Sequence, residues 1–322
     1  MKRFCKNIIL VVLLVSLMTL WVNELYVKLY HANEDYTDKF HTIPAQIQIC
    51  NFGSSHGLYG FNYEDYSKQY VCFNFGLVSQ YLSYDDRLFQ EYENYVSENA
   101  IVFITVSYFE LFGKGEQYDA DFESKNRRYY SILPKSLVKE YDYKTDFFVQ
   151  HLPALCASTG GLLKTLLGQS KVDALEADWT RLSSDICVSE DAKAACERHI
   201  GTSRCDENGE RIINKEEIDA LYHIINACKV KGAIPILITT PYLKEYTDEM
   251  AKVDGFYEQF YSIIDQVIAD TGVQYYDYAF DERFNNRYEW FMNADHLNKE
   301  GARNFVSILM DEIVKEKAEF LR

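Results

Sequence analysis

The sequence has few basic residues and no basic cluster. It contains 33 Lys and Arg residues against 49 Asp and Glu residues, and its formal net charge is −16 at pH 7. After the first six residues, no run of Lys or Arg is longer than a pair. Nucleic-acid binding requires a basic patch or stripe, so we exclude DNA and RNA as partners. A polyanionic substrate would also be repelled unless a local basic patch intervened, which favours neutral or weakly charged glycans.

The eight cysteines include no Cys-x-x-Cys pair, which is the usual spacing in zinc clusters. We therefore expect neither a metal nor any other cofactor, with a metal site in the cysteine-containing segment as the alternative. Cys50 and Cys72 fall in predicted strands and are interpreted as buried thiols. Four others could form two disulfides in an oxidising compartment: Cys156, Cys187, Cys196 and Cys205.

One long apolar run is present, at the N-terminus. Lys2, Arg3 and Lys6 precede an uncharged stretch of 17 residues from Asn7 to Asn23, which is the lower limit for a membrane-spanning helix. No small residues of the Ala-x-Ala kind follow it, which favours an uncleaved anchor over a cleaved signal peptide. The basic residues predict a cytoplasmic N-terminus and an extracytoplasmic remainder. We therefore expect an anchor over 1–23 and a stalk over 24–45.

The rest of the chain, 46–322, has the pattern of an α/β domain. Short apolar runs rich in Val, Ile, Phe and Tyr are separated by gaps of helix length or more, which is typical of a parallel sheet with crossover helices. The strands are predicted at 46–50, 70–74, 100–106, 233–239 and 273–278. Between about 113 and 213 this rhythm is lost, and we interpret that stretch as an insertion over the carboxyl edge of the sheet that sets specificity.

Two short polar segments carry candidate chemistry. The first predicted strand breaks into Gly53-Ser-Ser-His-Gly57, which lifts the hydroxyl of Ser55 to the carboxyl edge of the sheet. A serine is a weak nucleophile until a base takes its proton. The best candidate base is His296, which lies in Asn293-Ala-Asp-His-Leu-Asn298 directly before the last predicted helix.

Together these segments resemble the first and last sequence blocks of the SGNH/GDSL hydrolase superfamily, and more closely its membrane-anchored cell-envelope branch related to DltD and to AlgX and AlgJ. The resemblance implies a single flavodoxin-like, three-layer domain in which Ser55 is the nucleophile and His296 the base. It also implies an oxyanion hole that includes the backbone of Ser55 and of Gly76. Ser107 stands where the superfamily places an Asn, so that donor is shorter.

The acid that orients the histidine is a second departure. The superfamily places Asp three residues before the His, but here that residue is Asn293, while Asp295 is adjacent to His296. The three-residue spacing slightly favours Asn293. His56, Tyr242 and Arg283 are predicted substrate contacts. Simple packing of Tyr242 and a surface ion pair of Arg283 are the alternatives.

The resemblance implies a membrane-anchored extracytoplasmic serine esterase or O-acyltransferase that acts on O-acyl groups, most simply acetyl, of a cell-surface polysaccharide. Relatives of that branch act beside a multi-spanning membrane O-acyltransferase, which would be the partner here. The alternative is a catalytically inactive glycan-binding or scaffold component of an envelope acyl-transfer complex. Ser107 and Asn293 favour that alternative, whereas the intact serine and histidine segments favour catalysis.

Overall fold

The computed structural model describes residues 2–31, 37–115, 122–167, 179–201 and 204–317. The chain divides into two compact units. The first comprises Met1–Thr42 and Glu123–Leu175, and the second comprises Ile43–Phe122 and Glu176–Arg322. The α-helices are α1 (Lys2–His31), α2 (Ser55–Gly60), α3 (Leu82–Tyr92), α4 (Phe122–Arg127), α5 (Asp146–His151), α6 (Pro153–Cys156), α7 (Thr159–Leu166), α8 (Val188–Ile200), α9 (Lys215–Lys231), α10 (Lys244–Met250), α11 (Phe256–Thr271) and α12 (Lys299–Leu309).

The first unit contains the apolar helix α1. Its segment Arg3–Leu29 is long and apolar enough to cross a membrane, judged by length and composition alone. The helix continues to His31, so the first part of the predicted stalk is helical, while residues 32–36 lie outside the described residues. The side chain of Asn23 is bonded on both sides, because its Nδ2 donates to the carbonyl oxygen of His151 (3.0 Å) and its Oδ1 accepts from Ala154 N (3.1 Å). Helix α1 thus packs against α6 and α7 of its own unit.

The second unit is built on a five-stranded parallel sheet. Its strands are β1 (Ile47–Phe52), β2 (Cys72–Asn74), β3 (Val96–Thr105), β4 (Ile234–Thr239) and β5 (Gln274–Asp277), in the order β2-β1-β3-β4-β5. The predicted α/β class with a parallel sheet is confirmed. This is the flavodoxin-like strand order, whose switch point lies between β1 and β3. Ligands bind such sheets outside the carboxyl ends of these strands, where Ser55 follows β1.

Apolar residues cover both faces of the sheet, as expected for parallel strands with helices on either side. One face packs against α12 through a cluster that includes Ile49, Ile101, Phe103, Ile236, Ile238, Phe305, Val306 and Leu309. Phe52 of β1 lies on the opposite face of the sheet from Ile49. Its ring stacks on that of Phe75, with centroids 4.5 Å apart, and packs edge-on against Phe89 of α3. Because Ser55 follows β1 closely, its position is supported by this packed core.

The expected disulfides are not formed, and all eight cysteines are unpaired. Cys187 precedes α8, whereas Cys196 lies inside that helix and is buried. Nine residues at 1.5 Å per residue separate the two by roughly 13 Å along the helix axis. A disulfide needs Cα atoms within about 7 Å. The helix therefore rules out a disulfide between Cys187 and Cys196.

Candidate active site

The turn after β1 can be made only by glycine at position 53. Gly53 has φ +139°, and a Cβ there would lie 2.6 Å from Cβ of Thr105 on the neighbouring strand. Its backbone N–H donates to Oδ1 of Asp85 (3.0 Å). The turn is thus held from both sides, and it places Ser55 at the first position of α2.

Two asparagine side chains, of buried Asn51 and half-buried Asn74, fix the short helix α2 on the sheet. Asn51 Nδ2 donates to the carbonyl oxygen of Gly57 (2.9 Å) and contacts Oδ1 of Asn74 (3.1 Å). Asn74 Nδ2 lies within 3.1 Å of the carbonyl oxygens of Gly57, Leu58 and Phe61. These bonds satisfy carbonyls at the end of the helix, and they fix the position of its first residue as well.

The candidate base meets the candidate nucleophile directly. Nε2 of His296 lies 2.7 Å from Oγ of Ser55. The histidine is carried by a loop that is tied back at Met292, whose N–H donates to the carbonyl oxygen of His296 (3.1 Å). Asn298 caps α12 by accepting from the N–H groups of Glu300 (3.1 Å) and Gly301 (3.0 Å). The predicted placement of His296 before a helix is thus observed.

Both candidate acids reach the other ring nitrogen of His296. Oδ1 of Asn293 lies 3.0 Å from Nδ1 and also accepts from the backbone N–H of His296 (2.8 Å). Oδ1 of Asp295 lies 3.2 Å from the same Nδ1, but that contact is too poorly aligned to be a hydrogen bond. Asn293 therefore orients the ring, and the buried carboxylate of Asp295 places a negative charge beside it.

Asp295 is shared by three histidines. Its Oδ2 lies 3.3 Å from Nε2 of His56 and 3.8 Å from Nε2 of His199. Burial alone would raise the pKa of Asp295, but the electrostatic attraction of the His296 ring and the hydrogen bond from His56 outweigh burial and hold this pKa well below its usual range. Burial in turn lowers the pKa of His56, and it lowers the pKa of His199 to about 3. The cluster thus contains an ionised carboxylate next to two neutral imidazoles.

A cavity of about 300 Å³ opens over the serine and the histidine. Its walls come from α2, the loop after β2, the segment around α8 and the loop before α12. The residues that line it are Ser55, Tyr59, Val78, Ser79, Arg181, Arg198, His199, Met292, Asn293 and His296. Ser79 has φ +52°, a conformation that non-glycine residues seldom adopt and that is frequent at functional sites.

The two predicted oxyanion donors after β2 and β3 lie elsewhere. The N–H of Gly76 donates to Oδ1 of Asn74 (2.8 Å), so it is engaged within the fold. Ser107 is fully buried, and its Oγ bonds Nδ1 of His56 (2.7 Å) and Oγ of Ser54 (3.3 Å). The geometry argues against an oxyanion role for either residue. The N–H of Ser55 opens α2 and has no acceptor within the helix, which leaves it as a donor.

The three predicted substrate contacts do not line the cavity. His56 is buried and turned toward Asp295, because it lies one residue further around the first turn of α2 than Ser55. Tyr242 is also buried, and its ring packs edge-on against His56 with centroids 5.2 Å apart. Arg283 forms ion pairs with Asp281 and Glu312, which is the surface-pair alternative given above.

One group in the described part of the chain has donor atoms close enough to hold a metal ion, namely His56, Asp295 and His296. Nδ1 of His56 is bonded to Ser107, and Nε2 of His296 is bonded to Ser55. The ring nitrogens that remain already face the carboxylate. A metal would have to replace these contacts, so the donor set fits proton transfer better than metal binding.

Sequence reasoning missed seven of the ten described residues of the cavity wall, among them Arg181, Arg198 and His199. All three lie in the segment that was predicted to be an insertion that sets specificity, but no motif marked them individually. His199 is positioned by Tyr246, whose hydroxyl lies 2.7 Å from its Nδ1, and by Phe109, whose ring stacks on it at 4.2 Å. These partners are far apart in sequence, so no local pattern could reveal the site.

Comparisons with known proteins add little. No protein-family model and no curated protein matches the chain. A solved structure from Streptococcus pneumonia, described only provisionally as a platelet activating factor, aligns with a TM-score of 0.40 and 11% identity, over 94% of this chain and 97% of that chain. Similarity at this level supports no functional assignment, which therefore rests on the site.

Proposed function

We propose that the protein is a serine esterase or O-acyltransferase that uses Ser55 as its nucleophile. The observation that carries this proposal is the 2.7 Å contact between Oγ of Ser55 and Nε2 of His296, with Asn293 and Asp295 on the opposite side of the imidazole. A nucleophile, a base and a group that orients the base are the parts that acyl transfer requires. They open into a cavity of about 300 Å³, at the lower end of the range for ligand sites.

In the proposed reaction, Oγ of Ser55 attacks the ester carbonyl while Nε2 of His296 takes its proton. The imidazolium formed in this step is stabilised by the buried carboxylate of Asp295 and kept in orientation by Oδ1 of Asn293. The N–H of Ser55 donates to the developing oxyanion. His296 then returns the proton to the leaving alcohol, and water or a sugar hydroxyl accepts the acyl group in the second half of the reaction.

The proposed setting is the outer face of a membrane. The apolar helix α1 supports a membrane anchor, and the resemblance described above supports an O-acyl group, most simply acetyl, of a cell-surface polysaccharide as substrate. A multi-spanning membrane O-acyltransferase would be the partner. Treatment of intact cells with protease tests the topology, because an extracytoplasmic second unit is digested from outside whereas a cytoplasmic one is protected.

The chemistry is tested with a fluorophosphonate probe and a chromogenic acetyl ester on the full chain in detergent. We expect labelling of Ser55, identified by mass spectrometry, and ester turnover. Ser55→Ala and His296→Ala should lose both. Ser67→Ala is the matched control, because Ser67 is exposed and its hydroxyl bonds only the carbonyl oxygen of Glu64 (2.9 Å) among the described residues. Equal turnover by wild type and Ser55→Ala would show that the activity belongs to another site.

A binding module is the second candidate function. The observation that favours it is the engaged N–H of Gly76, which leaves fewer donors for an oxyanion than acyl transfer usually employs. A binding module would neither react with the fluorophosphonate nor turn over the ester, although glycan would still bind. The same experiment therefore separates the two candidates.

A further inference from the structure

The two arginines at the cavity are unusual within this chain. Arg181 and Arg198 are exposed, and neither has a hydrogen-bond or ion-pair partner among the described residues. Every other described arginine of the second unit has a partner, either a carboxylate or a carbonyl or amide oxygen: Arg87, Arg204, Arg211, Arg283, Arg287 and Arg303. In a chain with 49 acidic residues, unpaired guanidinium groups require an explanation.

The position of these arginines supplies that explanation. Both line the same cavity of about 300 Å³ as Ser55 and His296, and none of the described lining residues is Asp or Glu. Among the described residues, Asp295 is the carboxylate in contact with the catalytic pair, and it lies buried behind His296 and does not line the cavity. The cavity therefore presents two permanent positive charges to whatever enters it, although the chain as a whole carries a net charge of −16.

We infer that Arg181 and Arg198 form a subsite for an anionic group, a carboxylate or a phosphate, on the ester that reacts with Ser55. This inference rests on the proposed function and names the class of its substrate. A guanidinium offers a planar fork of donors that matches the oxygens of either anion. The negative surface would otherwise repel such a substrate, so a local pair of arginines is what admits it. The subsite thus supplies the local basic patch that the composition lacks.

The cavity size limits what this subsite can hold. About 300 Å³ accommodates an acyl group together with a single ring, and it does not enclose a length of polymer. The anionic group must therefore lie on the acyl group itself or on the unit that carries it. An acidic sugar bearing an O-acyl group meets that requirement, as does an acylated unit next to a phosphate.

The test uses three acetate esters that differ in one substituent. These are the acetates of 4-hydroxybenzamide, 4-hydroxybenzoate and 4-hydroxyphenyl phosphate, which are neutral, carboxylate-bearing and phosphate-bearing respectively. Full-length protein in detergent is assayed for kcat/KM with each ester. We expect kcat/KM to be about ten- to a hundredfold higher for at least one anionic ester than for the amide, since 1.4 kcal/mol corresponds to a factor of ten and charge-assisted bonds are worth about that or more. The preferred anion separates the carboxylate from the phosphate source.

The variants assign this preference to the two arginines. Arg181→Gln and Arg198→Gln should each lower kcat/KM for the anionic ester by about three- to tenfold, discounted for solvent screening of exposed charges. The double variant should abolish the preference, so that its kcat/KM for the anionic ester falls to about its own value for the amide ester. Arg303→Gln is the matched control, because Arg303 is exposed, pairs with Asp65 and does not line the cavity. It should keep the full preference.

Failure of the subsite and failure of the proposed function give different results. Equal kcat/KM for all three esters in wild type would overturn the subsite and leave the esterase proposal intact. If no ester reacts, the esterase proposal fails, and the subsite is then tested by measurements of ligand binding. In that case ligand-observed NMR compares 4-hydroxybenzoate and 4-hydroxyphenyl phosphate with 4-hydroxybenzamide. Anion-selective binding that the double variant loses supports the subsite, and equal binding of all three ligands overturns it.

Discussion

The buried carboxylate of Asp295 is where the proposed chemistry can be tested most severely. Its Oδ1 lies 3.2 Å from Nδ1 of His296, and its side chain is fully buried. Two unit charges at that distance interact by about 5 kcal/mol at an effective dielectric constant near 20. In the proposed reaction the proton of Ser55 passes to His296 in the transition state, so this interaction strengthens there and lowers the barrier. Removal of the charge therefore acts on kcat.

We expect Asp295→Asn to lower kcat for a chromogenic acetyl ester by about a thousandfold, which is most of the factor that 5 kcal/mol allows. Asn293→Ala removes a neutral hydrogen bond worth about 1 kcal/mol and should cost about fivefold. Asp248→Asn is the control, because Asp248 is exposed and its ion pair with Lys244 lies on α10. Near-UV circular dichroism and thermal melting check that the variants fold.

The opposite ranking would refute this reasoning. If Asp295→Asn stayed within threefold of wild type while Asn293→Ala lost most of the activity, orientation by the amide would suffice. The charge of Asp295 would then serve only its contacts with His56 and His199. That outcome would agree with the three-residue spacing, which slightly favours Asn293 as the residue that fills the acid position.

Three further predictions concern the support of the site. Gly53→Ala should destabilise the fold by more than about 2 kcal/mol in denaturant melts and abolish activity, because its Cβ would lie 2.6 Å from Cβ of Thr105 at a φ of +139°; unchanged stability would contradict the turn geometry. Asn298→Ala should cost about 1 kcal/mol of stability and reduce kcat through the histidine loop, whereas a loss of stability alone would show that the loop holds without the cap. Burial lowers the pKa of His199 to about 3 in the folded protein, whereas the unfolded chain protonates this histidine below a pKa near 6.5, so the free energy of unfolding decreases as the pH falls. In His199→Gln, the decrease in the free energy of unfolding between pH 6.5 and 4.5 should be smaller by about 2 to 3 kcal/mol. An unchanged pH profile would mean that His199 is not neutral in the fold.

The sheet could be predicted because its strands are local signals. Each predicted strand overlaps an observed one, since short runs of Val, Ile, Phe and Tyr have few other ways to be buried. The largest difference between a predicted and an observed strand boundary is at the start of β3, which begins at Val96 and not at 100. That extension is polar, and it pairs irregularly with β1, where the register shifts between Ile47 and Ile49. An irregular polar edge leaves no hydrophobic pattern to detect.

The residues of the candidate site also divide into those with a local sequence signal and those without one. Ser55 and His296 each lie in a short segment whose turn residues and cap can be recognised without knowing the fold. Arg181 lies in the segment that precedes α8, and Arg198 and His199 are placed by the packing of α8 against α10. That contact joins residues about 50 positions apart, and single charged residues on an exposed helix look like ordinary surface. The stretch predicted to set specificity thus contributes to the cavity wall, but its sequence did not indicate which residues do so, and its effect on specificity stays a prediction.

Gly76 has a structural role that the resemblance did not indicate. A Cβ at this position would lie 2.6 Å from N of Leu58, so any larger residue would push α2 away from the sheet. Its N–H is bonded to Asn74, whose amide also holds the carbonyls at the end of α2. Glycine is required here because the helix that carries Ser55 passes so close. In the proposed reaction the developing oxyanion is then stabilised chiefly by the N–H of Ser55. The charge on Asp295 therefore contributes correspondingly more to the proposed catalysis.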